Sequence, residues 1–262
     1  MADVELLNAA RRGFVYEQNL VNLLKKHKYV PAGFQPAASE NRPDIVIQNV
    51  RGTAGCEVKI STNVAGGSVN FIHDRGKWRF DGRTKMDEQK FLIGVAKKAG
   101  FLQQVQEEWS TPPIKRTPVT SDLTALMGKM TREQIYRADL EACHSFTMKV
   151  SPKVLEKYYN AKNAQYINIG THGLYLLGPS DPLGMNASLG RRKMKKVPRF
   201  SDVATMTLIA QVKNKGAGKW HQFMLEARFN IPLSAKSPYN LGATNGTDAV
   251  INLSKTDLSC FL

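Results

Sequence analysis

Residues 42–60 read RPDIVIQNVRGTAGCEVKI, and they predict two short strands joined by a glycine-rich turn. Residues 45–47 form a run of apolar, β-branched side chains, which favours a strand. Glycines punctuate residues 51–55. Residues 56–60 then alternate between apolar and charged side chains, which is the period of a strand with two different faces. The stretch therefore predicts a β-hairpin.

Three ionisable side chains converge in this hairpin. Asp44 stands at the start of the first strand, and Glu57 and Lys59 are two positions apart in the second. Side chains two apart in a strand point to the same face, and the hairpin brings Asp44 beside them, close to the Val58 carbonyl. Mg²⁺ prefers oxygen ligands, usually one or two carboxylates with waters and phosphate oxygens. The sequence predicts a Mg²⁺ site at Asp44, Glu57 and Val58, with Mn²⁺ as the alternative ion.

This spacing resembles the PD-(D/E)XK nuclease superfamily, which includes many type II restriction endonucleases, junction resolvases and phage nucleases. Pro43 and Asp44 match the first half of its motif, and Glu57, Val58 and Lys59 match the second. The resemblance covers residues 1–110. It implies that the carboxylates bind the metal, that the lysine assists the attacking water or neutralises the phosphate, and that the products carry 5′-phosphate and 3′-hydroxyl ends.

Some members of that superfamily carry a further glutamate on a preceding helix. Apolar residues recur at helical spacing over residues 3–29, and Glu17 lies within this predicted helix. The resemblance implies that Glu17 orients groups in the site or binds a second ion. Taken without the resemblance, Glu17 also fits an exposed helical acid, and the hairpin also fits a surface element with a Glu57–Lys59 pair.

The charge of the chain points to a polyanionic partner. It carries 37 Lys and Arg against 22 Asp and Glu, a net charge of +15, with a pI near 9.8. Such a field attracts nucleic acid, although a basic surface of solvated lysines has the same composition. Two basic segments predict contacts to double-stranded DNA, namely Lys77 and Arg79 on one strand face and a dense run later in the chain: Arg191, Arg192, Lys193, Lys195 and Lys196.

Other function classes lack their motifs. The five histidines have no zinc-hydrolase spacing, and the chain has no dinucleotide or ATP-binding fingerprint. The N-terminal residues do not resemble a signal peptide, and no apolar run is long enough to span a membrane. Three scattered cysteines favour free thiols in a reducing compartment. We therefore expect a cytoplasmic protein with no membrane partner.

The predicted fold class is α/β, with a restriction-endonuclease-like mixed sheet flanked by helices. The amphipathic pattern over residues 87–109 predicts one long helix, which we expect to pack on that sheet. Residues 122–160 predict further helix, and residues 249–253 predict a last strand. The predicted division is a catalytic core over residues 1–110, a helical insertion over residues 111–163, and a β-rich part over residues 164–262 that completes the sheet and contacts DNA.

These observations predict a Mg²⁺-dependent DNA endonuclease, with a sequence-specific type II restriction enzyme as the first choice. The long β-rich part favours that choice, because hairpins can enter a major groove and contact base edges. Cutting both strands needs two active sites, so a homodimer is expected. The alternatives are a phage or viral repair, homing or junction-resolving nuclease of the same superfamily, and a basic nucleic-acid-binding protein without catalysis.

Overall fold

The computed structural model describes residues 9–35, 42–62, 67–74, 77–80, 86–109, 134, 137, 140–187, 195–214 and 223–261. The helices are α1 (Ala9–Lys26), α2 (Asp87–Lys98), α3 (Phe101–Glu108), α4 (Lys153–Ala161) and α5 (Phe200–Val203). The strands are β1 (Ile45–Asn49), β2 (Gly52–Lys59), β3 (Ser68–Asp74), β4 (Lys77–Phe80), β5 (Phe146–Val150), β6 (Ala164–Ile169), β7 (Gly173–Leu176), β8 (Met206–Asn214) and β9 (Phe223–Asn230). The predicted α/β class is confirmed.

The chain forms two compact units. The first combines Met1–Ala65, Ser151–Thr205 and Ile231–Leu262, and the second combines Gly66–Val150 and Met206–Asn230. Within the described residues, the first unit contains a mixed sheet with the strand order β1-β2-β6-β7, and the second contains an antiparallel sheet with the order β4-β3-β9-β8-β5.

The predicted hairpin is present in the first unit. Strands β1 and β2 pair antiparallel, with Ile45 opposite Cys56. Strand β2 also pairs in parallel with β6, which places Lys59 opposite Ile169. Because β2 is covered by neighbours on both edges, its residues from Ala54 to Val58 are buried. The carboxyl ends of the two parallel strands meet at one edge of the sheet.

Helix α1 supplies part of the core of the first unit. Four of its residues are fully buried against the sheet and the C-terminal segment, which are Tyr16, Leu20, Val21 and Leu24. Their spacing is the i, i+4, i+5, i+8 pattern of a helix with one buried face. Helix and hairpin are therefore fixed to each other through a common apolar core.

The prediction of one long helix over residues 87–109, packed on the sheet that holds the hairpin, is wrong. The amphipathic segment over residues 87–109 belongs to the second unit, where aromatic rings pack together: Phe71, Trp78, Phe101, Trp109 and Phe146. It is also two helices, because Gly100 adopts a φ of +72° between α2 and α3. Within the first unit, the helix that directly precedes β6 is α4.

Two further predictions need correction. Residues 146–150 form strand β5 instead of helix, because they pair with β8. Residues 249–253 form no strand, and a short 3₁₀-helix begins at Leu253. Antiparallel pairs are also formed by β3 with β4, β6 with β7 and β8 with β9.

The compact units follow other boundaries than the predicted division at residues 110 and 163. Strands β6 and β7 lie in the sheet that holds the hairpin, whereas β8 and β9 pair in the second sheet. Residues 111–133 of the segment predicted as a helical insertion lie outside the described residues. In the part of the chain that the structure describes, no helix is long and apolar enough to cross a membrane.

Candidate active site

Asp44 lies immediately before β1 and points at the backbone of β2. Its Oδ2 accepts a hydrogen bond of 2.8 Å from the N–H of Val58. Because the N–H and C=O of one strand residue point toward the same neighbour, the Val58 carbonyl also lies on the Asp44 side of β2. The structure therefore brings Asp44 beside Glu57 and Lys59, as the sequence predicted.

The ammonium of Lys59 lies between two carboxylates. Its Nζ is 2.6 Å from Oε1 of Glu57 and 3.4 Å from Oδ2 of Asp44. Burial lowers the pKa of Lys59, but the two carboxylates outweigh burial and hold that pKa well above its usual value. The ring of Tyr159, on α4, lies 5.7 Å from the same nitrogen. Lys59 is thus a positively charged group at neutral pH.

Glu57 is the most deeply buried member of the site. Its side chain is only 2% exposed, against 22% for Asp44 and 16% for Lys59. Burial raises the pKa of Glu57, the charge of Lys59 lowers it, and the neighbouring Asp44 raises it. The net pKa of Glu57 is about 8. Oε2 of Glu57 has no hydrogen-bond partner among the described residues. An ionised, buried and unsatisfied oxygen is costly, and a cation bound there would remove that cost.

Glu17 reaches the same cluster from α1. Burial and then the charge of Asp44 raise the pKa of Glu17, the charge of Lys59 lowers it, and the net value is about 7. The neighbouring Tyr16 fixes this turn of the helix, since its hydroxyl donates to the carbonyl of Gly242 and accepts from the amide of Asn168 at 3.2 Å. Glu17 is therefore a partly buried acid that faces Asp44 and Lys59, and not an isolated surface acid.

These oxygen donors suit a magnesium ion. Asp44 and Glu57 supply two carboxylates, the Val58 carbonyl faces the same side, and the exposed parts of Asp44 and Lys59 leave room for water and phosphate. Among the described residues, no group of three or more His, Cys, Asp or Glu side chains is arranged to hold a metal. Mg²⁺ usually takes one or two protein carboxylates and completes its coordination with waters and phosphate oxygens.

The predicted DNA-contacting residues are only partly described. Lys77 and Arg79 are exposed on β4 in the second unit, with Trp78 buried on the opposite face. Lys195 and Lys196 are exposed in the first unit. Arg191, Arg192 and Lys193 lie outside the described residues.

Sequence reasoning missed the groups that support this site. Asn168 is fully buried in β6, and it connects three segments by donating to Tyr16 and accepting from the N–H of Leu241 at 3.0 Å. The one available signal was an amide inside an otherwise apolar strand, YINIG at residues 166–170. No signal indicated that Tyr159 would lie beside Lys59.

Comparison with known proteins gave one structural likeness. No protein-family model and no curated protein matches the chain. A solved structure of the HhaI endonuclease in complex with DNA matches this chain with 9% identity and a TM-score of 0.32. The match covers 79% of this chain and 62% of the endonuclease chain, so the chain spans less than two thirds of that protein.

Proposed function

We propose that this protein is a magnesium-dependent DNA endonuclease of the PD-(D/E)XK type. The observation that carries the proposal is the convergence of Asp44, Glu57 and Lys59 at one edge of a sheet, with one oxygen of Glu57 unpaired among the described residues. Two carboxylates, an ammonium and an accessible edge match the needs of phosphodiester hydrolysis.

Asp44, Glu57 and the Val58 carbonyl would hold the ion. When bound, Mg²⁺ lowers the pKa of a coordinated water and offsets the negative charge that builds on the phosphate. Glu17 lies beside Asp44 with a pKa near neutrality, so it can accept a proton from a nearby water or hold a further ion. Each carboxylate is supplied by a different segment, which is why the fold has to assemble before the site exists.

Lys59 acts as a donor of charge and hydrogen bonds in this proposal. Its pKa is held well above the usual value by two carboxylates, so the charged ammonium is the favoured form beside them. An ammonium placed beside the reacting phosphate stabilises its transition-state charge, and removing one such group typically costs about 100-fold to 1000-fold in rate.

Duplex DNA is the proposed substrate because of the charge of +15 and the exposed basic residues on both units. Within the nucleases we favour a sequence-specific, restriction-type enzyme that works as a homodimer. The β8–β9 hairpin provides an element of the size that a major groove admits. A repair, homing or junction-resolving nuclease would use the same chemistry on a different DNA form.

A plasmid assay tests the proposal. Supercoiled DNA is incubated with the protein, with Mg²⁺ or with EDTA, and with the variants Asp44→Ala, Lys59→Ala and Lys255→Ala. The last removes an exposed lysine on the short 3₁₀-helix and serves as the matched control. We expect nicking or linearisation only with Mg²⁺, a loss of at least about 100-fold in the first two variants, and no loss in the control.

The products distinguish the subclasses. Discrete fragments indicate a restriction-type enzyme, a smear indicates a non-specific nuclease, and preference for branched DNA indicates a resolvase. A protein that retards the plasmid in a gel without cutting it, equally well with and without Asp44 and Lys59, would be a non-catalytic DNA-binding protein, and the proposal would be wrong.

A further inference from the structure

A second polar cluster lies at the same edge of the sheet as the candidate active site. Strand β2 ends at Lys59 and its parallel neighbour β6 ends at Ile169, and the N–H of Gly170 donates to the carbonyl of Lys59 at 2.8 Å. The turn after β6 therefore begins directly beside the catalytic strand. His172 closes that turn, since its N–H donates to the carbonyl of Ile169 at 2.7 Å.

The turn is continuous with the segment that leaves β2. A Cβ atom built on Gly246 would lie 2.7 Å from Cγ2 of Thr171 and 3.5 Å from Cβ of Ser61. Ser61 is two residues past Lys59. Two residues with hydroxyl groups, Ser61 and Thr171, therefore lie beside Gly246 at this edge of the sheet. Ser61, Thr171 and His172 are all partly exposed, so a ligand in the active site would extend over them.

Lys236 adds a positive charge to this border. It is exposed, and no carboxylate lies within ion-pair distance of it in the described part of the chain. Burial lowers the pKa of His172, and the nearby Lys236 lowers it further. The N–H of Ser237, the next residue in the chain, donates to the carbonyl of His172, so Lys236 and His172 belong to one surface. An anion bound there would meet the charge of Lys236 and could accept a hydrogen bond from the imidazole of His172.

The cluster is held rigidly. The N–H of Ser237 donates to the carbonyl of His172 at 2.8 Å, and the hydroxyl of Tyr175 lies 2.9 Å from the Ala235 carbonyl and 3.1 Å from that of His172. Oγ1 of Thr171 is 2.7 Å from Nδ1 of His172, which fixes the ring and leaves its Nε2 for another partner. Polar groups fixed in advance lose little entropy when they bind a ligand.

We infer that Ser61, Thr171, His172 and Lys236 form a second phosphate subsite, which holds a backbone phosphate of the DNA strand next to the one that is cut. The inference rests on the proposed nuclease function for the position of the scissile phosphate. The subsite orients the strand and contacts no base, so it contributes affinity and register without sequence preference. Its lysine releases counterions from DNA, and its hydroxyl and imidazole groups supply hydrogen bonds.

Binding of a short fluorescent DNA duplex in EDTA, measured at several salt concentrations, tests the subsite. The variants are Lys236→Ala, Lys236→Arg and His172→Ala. The matched control is Lys26→Ala, an exposed lysine in the last turn of α1. That end of the helix lies beside Gln48, at the far end of β1 from Asp44. Thermal melts confirm that each variant is folded.

We expect Lys236→Ala to lower the slope of log affinity against log salt by about 0.9. The affinity ratio between wild type and this variant should then shrink about 3-fold between 50 and 200 mM salt. Lys236→Arg should keep the wild-type slope, His172→Ala should weaken binding, and Lys26→Ala should change neither quantity.

Cleavage of the same duplex with Mg²⁺ separates this inference from the proposed function. If wild type cuts DNA and Lys236→Ala keeps the full salt slope, the subsite is wrong and the nuclease stands. If wild type binds in a Lys236-dependent manner but never cuts, the phosphate contact is supported and the nuclease is wrong. Absence of both binding and cutting overturns both.

Discussion

Replacing Glu17 by glutamine should stabilise the metal-free protein at pH 8 and change its stability little at pH 5. Burial and the charge of Asp44 raise the pKa of Glu17 to about 7 in the folded protein. Folding therefore favours the protonated form. The stability that protonated Glu17 contributes is fully present below its unfolded pKa near 4.5, and it is lost as the pH rises through about 7.

The size of the effect follows from the shift in pKa. One pKa unit corresponds to about 1.4 kcal/mol, so a shift from 4.5 to about 7 costs about 3 kcal/mol at pH 8. Glu17 is partly exposed, which reduces the cost. We expect Glu17→Gln to raise the free energy of unfolding by about 1 to 3 kcal/mol at pH 8, and by less than about 1 kcal/mol at pH 5.

Urea denaturation in EDTA at both pH values measures this difference. Glu141→Gln, which changes an exposed glutamate, is the matched control and should alter stability by less than about 0.5 kcal/mol at either pH. A gain for Glu17→Gln that is equal at pH 5 and pH 8, or a loss at pH 8, would refute the argument that Glu17 is an ionised acid forced into this cluster.

Three other predictions concern the scaffold and the ion. Gly55→Ala should destabilise the protein by about 2 kcal/mol or more, because a Cβ there would overlap the Asn163 carbonyl oxygen. Gly13→Ala is the control: its Cβ would lie in open space on α1, and it should stabilise the protein by about 0.5 to 1 kcal/mol. Equal effects in thermal melts would contradict this. Asn168→Ala should cost about 2 to 4 kcal/mol, because it leaves the buried N–H of Leu241 unpaired and removes the hydrogen bond to the Tyr16 hydroxyl. A cost below about 1 kcal/mol in urea denaturation would be inconsistent with the network. Calorimetry in two buffers should show that Mg²⁺ binding releases protons at pH 7, since burial raises the pKa of Glu57 to about 8. Binding without proton release would mean that the ion does not bind at Glu57.

The local part of the site could be predicted from the sequence. Asp44, Glu57 and Lys59 lie within one hairpin, and the alternation of residues 56–60 fixes which of them share a face. Predicting the position of Glu17 also required knowing how helix α1 packs on the sheet. The spacing of the apolar residues in α1 was sufficient to predict a helix with one buried face.

The long-range part could not be predicted in this way. The apolar pattern of residues 87–109 shows that one helical face is buried, but it does not show against which sheet. In the structure, Phe71 packs with Phe101 of that segment and Trp78 packs with Trp109. Pairing between β2 and β6 spans more than 100 residues of sequence, and the sequence of a short strand carries little information about its partner. The supporting residues Asn168 and Tyr159 depend on that pairing.

The central claim is that Asp44 and Glu57 jointly bind a divalent ion at the position where Lys59 holds them together. A crystal structure with Mn²⁺, with the metal located by anomalous scattering, tests it most directly. We predict an anomalous peak in contact with carboxylate oxygens of both Asp44 and Glu57, and no such peak in crystals of Asp44→Ala. A protein that cuts DNA with Mn²⁺ but binds the metal elsewhere, without contact to either carboxylate, would contradict the account.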